Sequence, residues 1–365
     1  KNNAISGICL LAWLELLWTR RRHVDWASYW QRVAFLTLLA AVNSCLGLVE
    51  IALHGRAIAR QPINPRPLFV LGHPRTGTTM LHQLLALDTE TFGTCSTFCA
   101  GFPAAFLWVE RFKWAFAGLV DKTRPMDNVD LSLDSPQEDE IATNVLSAGT
   151  SPYMPLAFMV DEPSFRPYFS FKQAPPSAKA RWSDAFLYFL RKLSLRAGGR
   201  RLVLKSPAHT ARVALLRSLF PEAQFVYIHR DPLTVYQSAV HMARTTYWYM
   251  YLAAPSDEQI HEFILHQFEV LWAEYKADRA ALPEGSLHEL SYDDLTADPV
   301  GAVGAIYQSL GLDDFDARVR PRIEATLGGQ LRGYKKNTHA ALDPAVRALI
   351  ARRWADYIEA WGYTV

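Results

Sequence analysis

The stretch FVLGHPRTGTTMLHQLL, residues 69–85, decides the fold. An apolar, β-prone run, LFVLG (68–72), leads into a turn punctuated by Gly72 and Gly77. A helix follows, with Met80, Leu81, Leu84 and Leu85 on one face. Strand, tight loop and helix N-terminus together cradle an anion, because backbone N–H groups and the helix dipole both favour negative charge there. The spacing from Gly72 to Gly77 is that of a P-loop, but Thr78 stands where that pattern has lysine, and Thr79 follows it. Thr76, Thr78 and Thr79 offer hydroxyl donors, and Arg75 offers a permanent charge on a planar fork suited to phosphate or sulfate. The missing lysine, and the lack of a carboxylate-bearing strand partner for Mg²⁺, argue against ATP hydrolysis.

Working outward, the same grammar repeats. RLVLK (201–205) leads into SPAHTARVALLRSLF, a predicted helix capped by Ser206 with Pro207 at its first position. AQFVYIH (223–229) leads into RDPLTVYQSAVHMAR, with Pro232 near the start. SLHELSY (286–292) precedes the helix PVGAVGAIYQSLG (299–311). Strands alternating with helices predict an α/β fold with a parallel, helix-flanked sheet, whose ligands bind beyond the strands' C-terminal ends. Arg230 sits at such an end, and Ser238 lies two helical turns further on, so the pair can share one phosphate. The competing reading of Arg230 is an ion pair with Asp231 or another acid.

These residues resemble the sulfotransferase family that uses 3′-phosphoadenosine 5′-phosphosulfate (PAPS). PRTGTT resembles its 5′-phosphosulfate loop, and VYIHRDPLTVYQSAV its 3′-phosphate motif. LVLKSPAHT, FPEAQFVYIHRDP and GYKKNTHAALDP resemble its connecting segments, so the likeness covers roughly residues 67–365. It implies a P-loop-like fold, no metal, PAPS as sulfuryl donor and adenosine 3′,5′-bisphosphate as product. Arg75, Thr76, Gly77, Thr78 and Thr79 would hold the phosphosulfate, and Arg230 and Ser238 the 3′-phosphate. Arg332, Lys335 and Lys336 would close over the nucleotide, or form a solvated basic loop. Tyr292 is either an adenine contact or a core tyrosine. Sulfuryl transfer is an in-line displacement in which positioning and charge stabilisation dominate. Arg75 would stabilise the transferring group, and Lys205 the bridging oxygen.

The acceptor hydroxyl also needs a base. Several members place a Glu beyond the phosphosulfate loop, but GTCSTFC here has no carboxylate. DSPQEDEIATNVL (134–146) resembles another family segment and reads as a helix opened by Pro136. Glu138 falls on the inward face with Ile141, Ala142 and Val145, whereas Glu140 falls on a more exposed face. Glu138, Glu140 and His209 remain the candidates, against the reading that the acids merely complement the helix dipole. A catalytically inactive nucleotide-binding scaffold and a P-loop kinase are the alternatives to a sulfotransferase.

Composition adds bounds. Of 365 residues, 50% are hydrophobic and 20% charged, which supports a packed core. A net charge of +2 argues against a dedicated nucleic-acid binder. Cys95 and Cys99 form a C-x-x-x-C pair without a matching second pair, a weak zinc signal and a possible disulfide. Residues 1–66 read as an apolar helical extension and 67–365 as the catalytic domain. AISGICLLAWLELLW (4–18) is too short to span a bilayer, RRRHVDWASYWQR (20–32) is basic and aromatic, and VAFLTLLAAVNSCLGLVEIAL (33–53) is long enough. Residues 4–53 thus read either as membrane-associated or as core helices; Glu15, Asn43 and Glu50 count against a simple span. The membrane would be the Golgi or another endomembrane in a eukaryote, and otherwise the cytoplasmic membrane. GRAIARQPINPRP (55–67) reads as a short linker. FCAGFPAAFLWVERFKWAFAGLV (98–120) reads as the lining of a hydrophobic acceptor channel or as a buried helix. These features favour a lipid or other apolar alcohol as acceptor; oligomeric state has no signature.

Because no metal-ligand set accompanies the phosphate loop, sulfuryl transfer is expected to survive EDTA. Loss of activity in chelator, restored by Mg²⁺, would point to a kinase.

Overall fold

The computed structural model describes residues 3–119, 132–328 and 342–365. Five strands form one parallel sheet: β1 (Leu68–Leu71), β2 (Phe92–Thr94), β3 (Arg201–Lys205), β4 (Gln224–His229) and β5 (Leu287–Ser291), in the order β2-β3-β1-β4-β5. Strand periodicity splits each strand between two cores. Phe69, Leu71, Leu204, Phe225 and Tyr227 enter the larger one. Leu68, Val70, Val203, Val226 and Ile228 enter the smaller. A sheet buried on both faces needs continuous apolar runs, which is why LFVL, RLVLK and QFVYIH stand out in the sequence.

The chain leaves β1 between its neighbours β3 and β4, where crossovers run to opposite sides. That switch point opens a crevice at the C-terminal strand ends. Three loops meet there, after Leu71, Lys205 and His229.

Several local expectations are corrected. β2 has only three residues and no apolar run, so it left no signal; its Gly93 allows close approach, since a Cβ there would sit 2.4 Å from the Ala197 Cβ. The helix expected after β3 is a 3₁₀ turn, Pro207–Ala211, then a short helix, Val213–Leu219. Pro136 does not open the helix that follows it. It forms an isolated bridge with Ser96, and the helix runs from Asp139 to Leu146 with Glu138 at its N-cap. The segment from residue 98 is not one buried helix but short turns, Thr97–Gly101, Phe106–Val109 and Glu110–Leu119. Phe98, Phe102 and Phe116 cluster there, with ring centroids 4.9–6.0 Å apart.

The N-terminal region forms α1 (Leu10–Arg20) and α2 (Trp26–Arg60). α2 absorbs both the aromatic segment from Trp26 and the start of the supposed linker, which shortens the connection to residues 61–67. Its inner face carries Val33, Leu36, Ala40, Asn43, Gly47 and Glu50, all buried. Asn43 donates to the carbonyls of Ser6 (2.7 Å) and Ile8 (3.1 Å). Glu50 forms a fully buried ion pair with Lys192 and also accepts from the Leu107 N–H at 2.7 Å. Burial holds the Lys192 ammonium below its ordinary value, against the pull of Glu50. Of the three residues that counted against a simple span, Asn43 and Glu50 thus face the protein, whereas Glu15 is exposed and pairs with Arg181.

Removing one partner of such a pair leaves a buried charge without compensation. Glu50→Ala is expected to cost about 3–5 kcal/mol of stability in denaturant titrations. The double change Glu50→Leu with Lys192→Met is expected to recover most of it.

Candidate active site

The loop from Gly72 to Gly77 is held by backbone conformations that side chains resist. Gly72 has φ +143°, Arg75 +78° and Gly77 +100°. A Cβ on Gly77 would lie 2.4 Å from a ring carbon of Tyr292, and one on Gly72 would lie 2.7 Å from the Ile228 carbonyl oxygen. Arg75 carries a left-handed conformation without glycine's freedom, a cost of order 1 kcal/mol tolerated mostly at functional loops. The Thr210 hydroxyl braces the turn: it accepts from the Gly72 N–H (2.8 Å) and donates to the Gly72 carbonyl (3.2 Å). The Thr76 hydroxyl is spent inside the loop, donating to the His73 carbonyl at 2.8 Å. Gly77 caps helix α3 (Thr78–Leu85), whose first-turn N–H groups have no intrahelical partners.

Two arginines converge above this loop. Arg75 Nε donates to Ser238 Oγ at 2.9 Å, and Arg230 Nη1 donates to the Arg75 carbonyl at 3.0 Å. The Arg230 guanidinium stacks 4.0 Å from the centroid of Tyr292, which opens the helix after β5. Tyr357 grips the Arg230 backbone on both sides, accepting from its N–H (3.0 Å) and donating to its carbonyl (2.9 Å). Asp231 is occupied in capping its helix through the Thr234 N–H at 2.7 Å. Arg75, Arg230, Ser238 and Tyr292 therefore meet from three segments, those after β1, β4 and β5. Arg332, Lys335 and Lys336 lie outside the described residues.

A second cluster lies beside the first. Lys205 Nζ is 2.7 Å from Glu138 Oε1 and 3.4 Å from Thr79 Oγ1. Tyr153 donates to Glu138 Oε2 at 2.5 Å, and its oxygen is 2.9 Å from Ser206 Oγ. Burial, with Glu138 adding to it, pushes the Tyr153 hydroxyl well above its ordinary value, so it stays protonated and donates. Tyr153 left no sequence signal; only folding brings SPYMP against β3. Thr210 and Tyr357 were equally invisible.

The consecutive acids 138–140 have three different fates. Glu138 is 22% exposed. Asp139 is buried against His209, Oδ2 to Nε2 2.5 Å. Burial raises the Asp139 pKa, but the histidine's charge and hydrogen bond outweigh it and hold it below the ordinary value. Glu140, expected to be the more exposed acid, is fully buried in a bidentate pair with Arg212 (2.6 and 3.1 Å) and accepts from Ser151 at 2.6 Å. The reason is that Arg212, from the segment after β3, and Trp182, whose Nε1 donates at 3.2 Å, cover this carboxylate. His209 is enclosed by Phe69, Trp182 and Phe186 and lies beneath the crevice. Of the three candidate bases, Glu138 alone reaches partly solvated space. Cys95 and Cys99 are both buried free thiols, and among the described residues no His, Cys, Asp or Glu group is arranged to hold a metal.

With this geometry in view, comparison with known proteins is informative. Residues 67–317 match the model of the sulfotransferase family. The omega-hydroxy-beta-dihydromenaquinone-9 sulfotransferases Stf3 of Mycobacterium bovis and Mycobacterium tuberculosis are each 34% identical over 357 residues, 98% of this chain and 90% of theirs. The crystal structure of sulfotransferase STF1 from Mycobacterium tuberculosis H37Rv superposes with a TM-score of 0.67 at 20% identity, covering 94% of this chain and 90% of that one. STF9 from Mycobacterium avium gives 0.68 at 19% identity, covering 92% and 86%. These two establish the shared fold.

The site's histidines also set an acid limit. Burial depresses His73 to about 3, against the pull of its bond to the Pro74 carbonyl; burial aided by Lys205 does the same to His82. Both stay neutral in the fold, yet the unfolded chain protonates them near 6.5. Their full stability is present above that pH and is lost as pH falls towards 3. Each histidine is expected to remove about 1.4 kcal/mol per pH unit in that window. Denaturant titrations from pH 7 to pH 4 check this, and His82→Gln should shed one proton's worth of slope.

Proposed function

The chain belongs to the sulfotransferase family, and from that premise we propose that it transfers a sulfuryl group from PAPS to the hydroxyl of an apolar, lipid-like alcohol. The observation that carries the donor assignment is the convergence of Arg75, Arg230 and Ser238 at the ends of adjacent strands β1 and β4. The residues fit a ligand with two separate anionic groups. A loop too tight for a Cβ at Gly72 and Gly77 offers N–H groups and Arg75 to one, and Arg230 with Ser238 suits the other. PAPS supplies the activated sulfuryl group and leaves as adenosine 3′,5′-bisphosphate.

In this reading Arg75 and the amides of Gly77, Thr78 and Thr79 bind the phosphosulfate, with Thr76 shaping the loop. Arg230 and Ser238 read the 3′-phosphate, and Tyr292 orients Arg230 from beneath. Glu138 takes the acceptor proton. Both of its oxygens are aimed by Lys205 and Tyr153. Lys205 is held at the end of β3, where it neutralises charge on the leaving side. His209, through Asp139, fixes the start of the helix that carries Glu138.

Two lines of support favour a lipid-like acceptor. The Mycobacterium relatives carry a menaquinone-derived alcohol in their names and align with nearly the whole chain. The N-terminal region, 1–66, presents apolar surface beside the catalytic part, 67–365, which fits membrane association through residues 4–53. In a bacterial host such as theirs this is the cytoplasmic membrane.

Arg230→Ala is expected to weaken adenosine 3′,5′-bisphosphate binding by about 2–3 kcal/mol, the loss of a charge-assisted contact. AMP, which lacks the 3′-phosphate, should bind almost as before. Calorimetry with both nucleotides tests it, and equal losses would refute the assignment. Glu138→Gln is expected to lower kcat by roughly 10²–10⁴-fold while leaving nucleotide affinity in place.

A further inference from the structure

We infer that α1 and α2 form a monotopic docking face that sits in one leaflet of an anionic bilayer, with α2 lying along the membrane plane and not across it. This rests on the membrane association proposed above and specifies its geometry.

The first observation is the two-sidedness of α2. At 35 residues it is about 52 Å long, more than enough to cross. Its inner face, however, is fastened to the protein along most of that length. Val33, Leu36 and Ala40 pack into the N-terminal core, Asn43 binds the Ser6 and Ile8 carbonyls, and Glu50 pairs with Lys192. A crossing helix would drag the Lys192–Glu50 pair and the flank of the catalytic body into hydrocarbon. The structure instead gives α2 one face for protein and one for something else.

The outer face of α2 is apolar without interruption from Ala34 to Leu53. Of sixteen exposed large hydrophobic residues among those described, twelve lie on α1 or α2. Phe35, Leu38 (67% exposed), Val42, Cys45 and Val49 follow helical spacing along one side. Leu11 (82% exposed), Leu14 and Trp18 form a shorter stripe on α1, broken by the exposed Glu15, whose carboxylate pairs with Arg181 at 2.5 Å. Between Ala34 and Leu53 the only charged residue is Glu50, which points inward. A soluble monomer rarely exposes so continuous a patch.

The third observation identifies the occupant. Exposed arginines bracket the stripe at both ends: Arg21 and Arg22 at the α1–α2 corner, Arg56 and Arg60 at the far end. The first end also carries Trp18, Trp26, Trp30 and Trp248. Arg21 stacks 4.4 Å from the Trp18 ring, and Arg32 donates to the Trp248 carbonyl at 3.0 Å. Arg and Trp around an apolar stripe are the signature of helices that lie at headgroup level on anionic lipid. A second copy of this chain fits less well, because pairing α2 with itself in either direction sets arginine against arginine.

The test is flotation of the full chain with phosphatidylglycerol–phosphatidylcholine vesicles and with phosphatidylcholine alone. Strong uptake by the anionic vesicles is expected, with at least a tenfold loss in Leu38→Glu/Val42→Glu, whose affinity for adenosine 3′,5′-bisphosphate and turnover of a soluble alcohol should be unchanged. Orientation is read from the quenching depth of a fluorophore at native Cys45, and at Leu38→Cys and Leu53→Cys made in a Cys45→Ser background. Equal, shallow depths support the in-plane helix. Depths that change steadily along the helix would overturn it, as would a stable dimer with no vesicle uptake. Vesicle uptake without nucleotide binding would remove the enzymatic reading and leave this one standing; turnover without uptake would do the reverse.

Discussion

The turn between β1 and α3 is the constraint around which the site is arranged. An anion can be gripped by backbone N–H groups only if the chain reverses without side chains in the way, and Gly72 and Gly77 meet that condition at φ +143° and +100°. The turn cannot hold this shape alone. Ile228 and Tyr292 crowd the two glycines from neighbouring strand ends, Thr210 pins Gly72 from the segment after β3, and Arg230 binds the carbonyl of Arg75. The loop is thus set by three other loops of the same sheet edge. Arg75, at φ +78°, aims its guanidinium at Ser238.

The run Glu138-Asp139-Glu140 shows how the catalytic side is organised. Its three acids pair in order with Lys205, His209 and Arg212, three basic residues on β3 and the segment after it. The last two pairs are completely buried, and buried pairs are weak sources of net stability because desolvation offsets their attraction. Their role is registration: they lock the helix at Asp139–Leu146 against β3, which leaves Glu138 at the partly solvated end beside Lys205 and Tyr153. Two dry pairs behind one partly solvated pair keep the Glu138 carboxylate fixed beside Lys205 and Tyr153.

The N-terminal helices follow the same division of labour between faces. Polar residues that would be costly in lipid are turned inward and satisfied by Lys192 and by backbone carbonyls. The face left outside is apolar, which is why composition alone reads this region as a possible span.

Much of this was legible from the residues. Four of the five strands, the glycine turn after β1 and the helix starts after the strands are written as local patterns: apolar runs, glycines at fixed spacing, Pro at helix starts. Local sterics and hydrogen bonding act within a few residues, so they leave marks within a few residues. The misread parts depend on distant partners. Glu140 looked exposed because helix periodicity says which residues share a face, not what covers that face, and its cover is Arg212, 72 positions away. β2 exists because β3 offers an unpaired edge to a segment with little strand character of its own. Tyr153, Thr210 and Tyr357 enter the site through contacts that only the assembled sheet creates. The sequence by itself determined the fold class and the glycine-hinged turn between β1 and α3, because both follow from backbone chemistry. Which carboxylate is buried, which is paired and which faces the crevice was decided only by tertiary packing, because desolvation and ion pairing depend on neighbours that the chain brings together last.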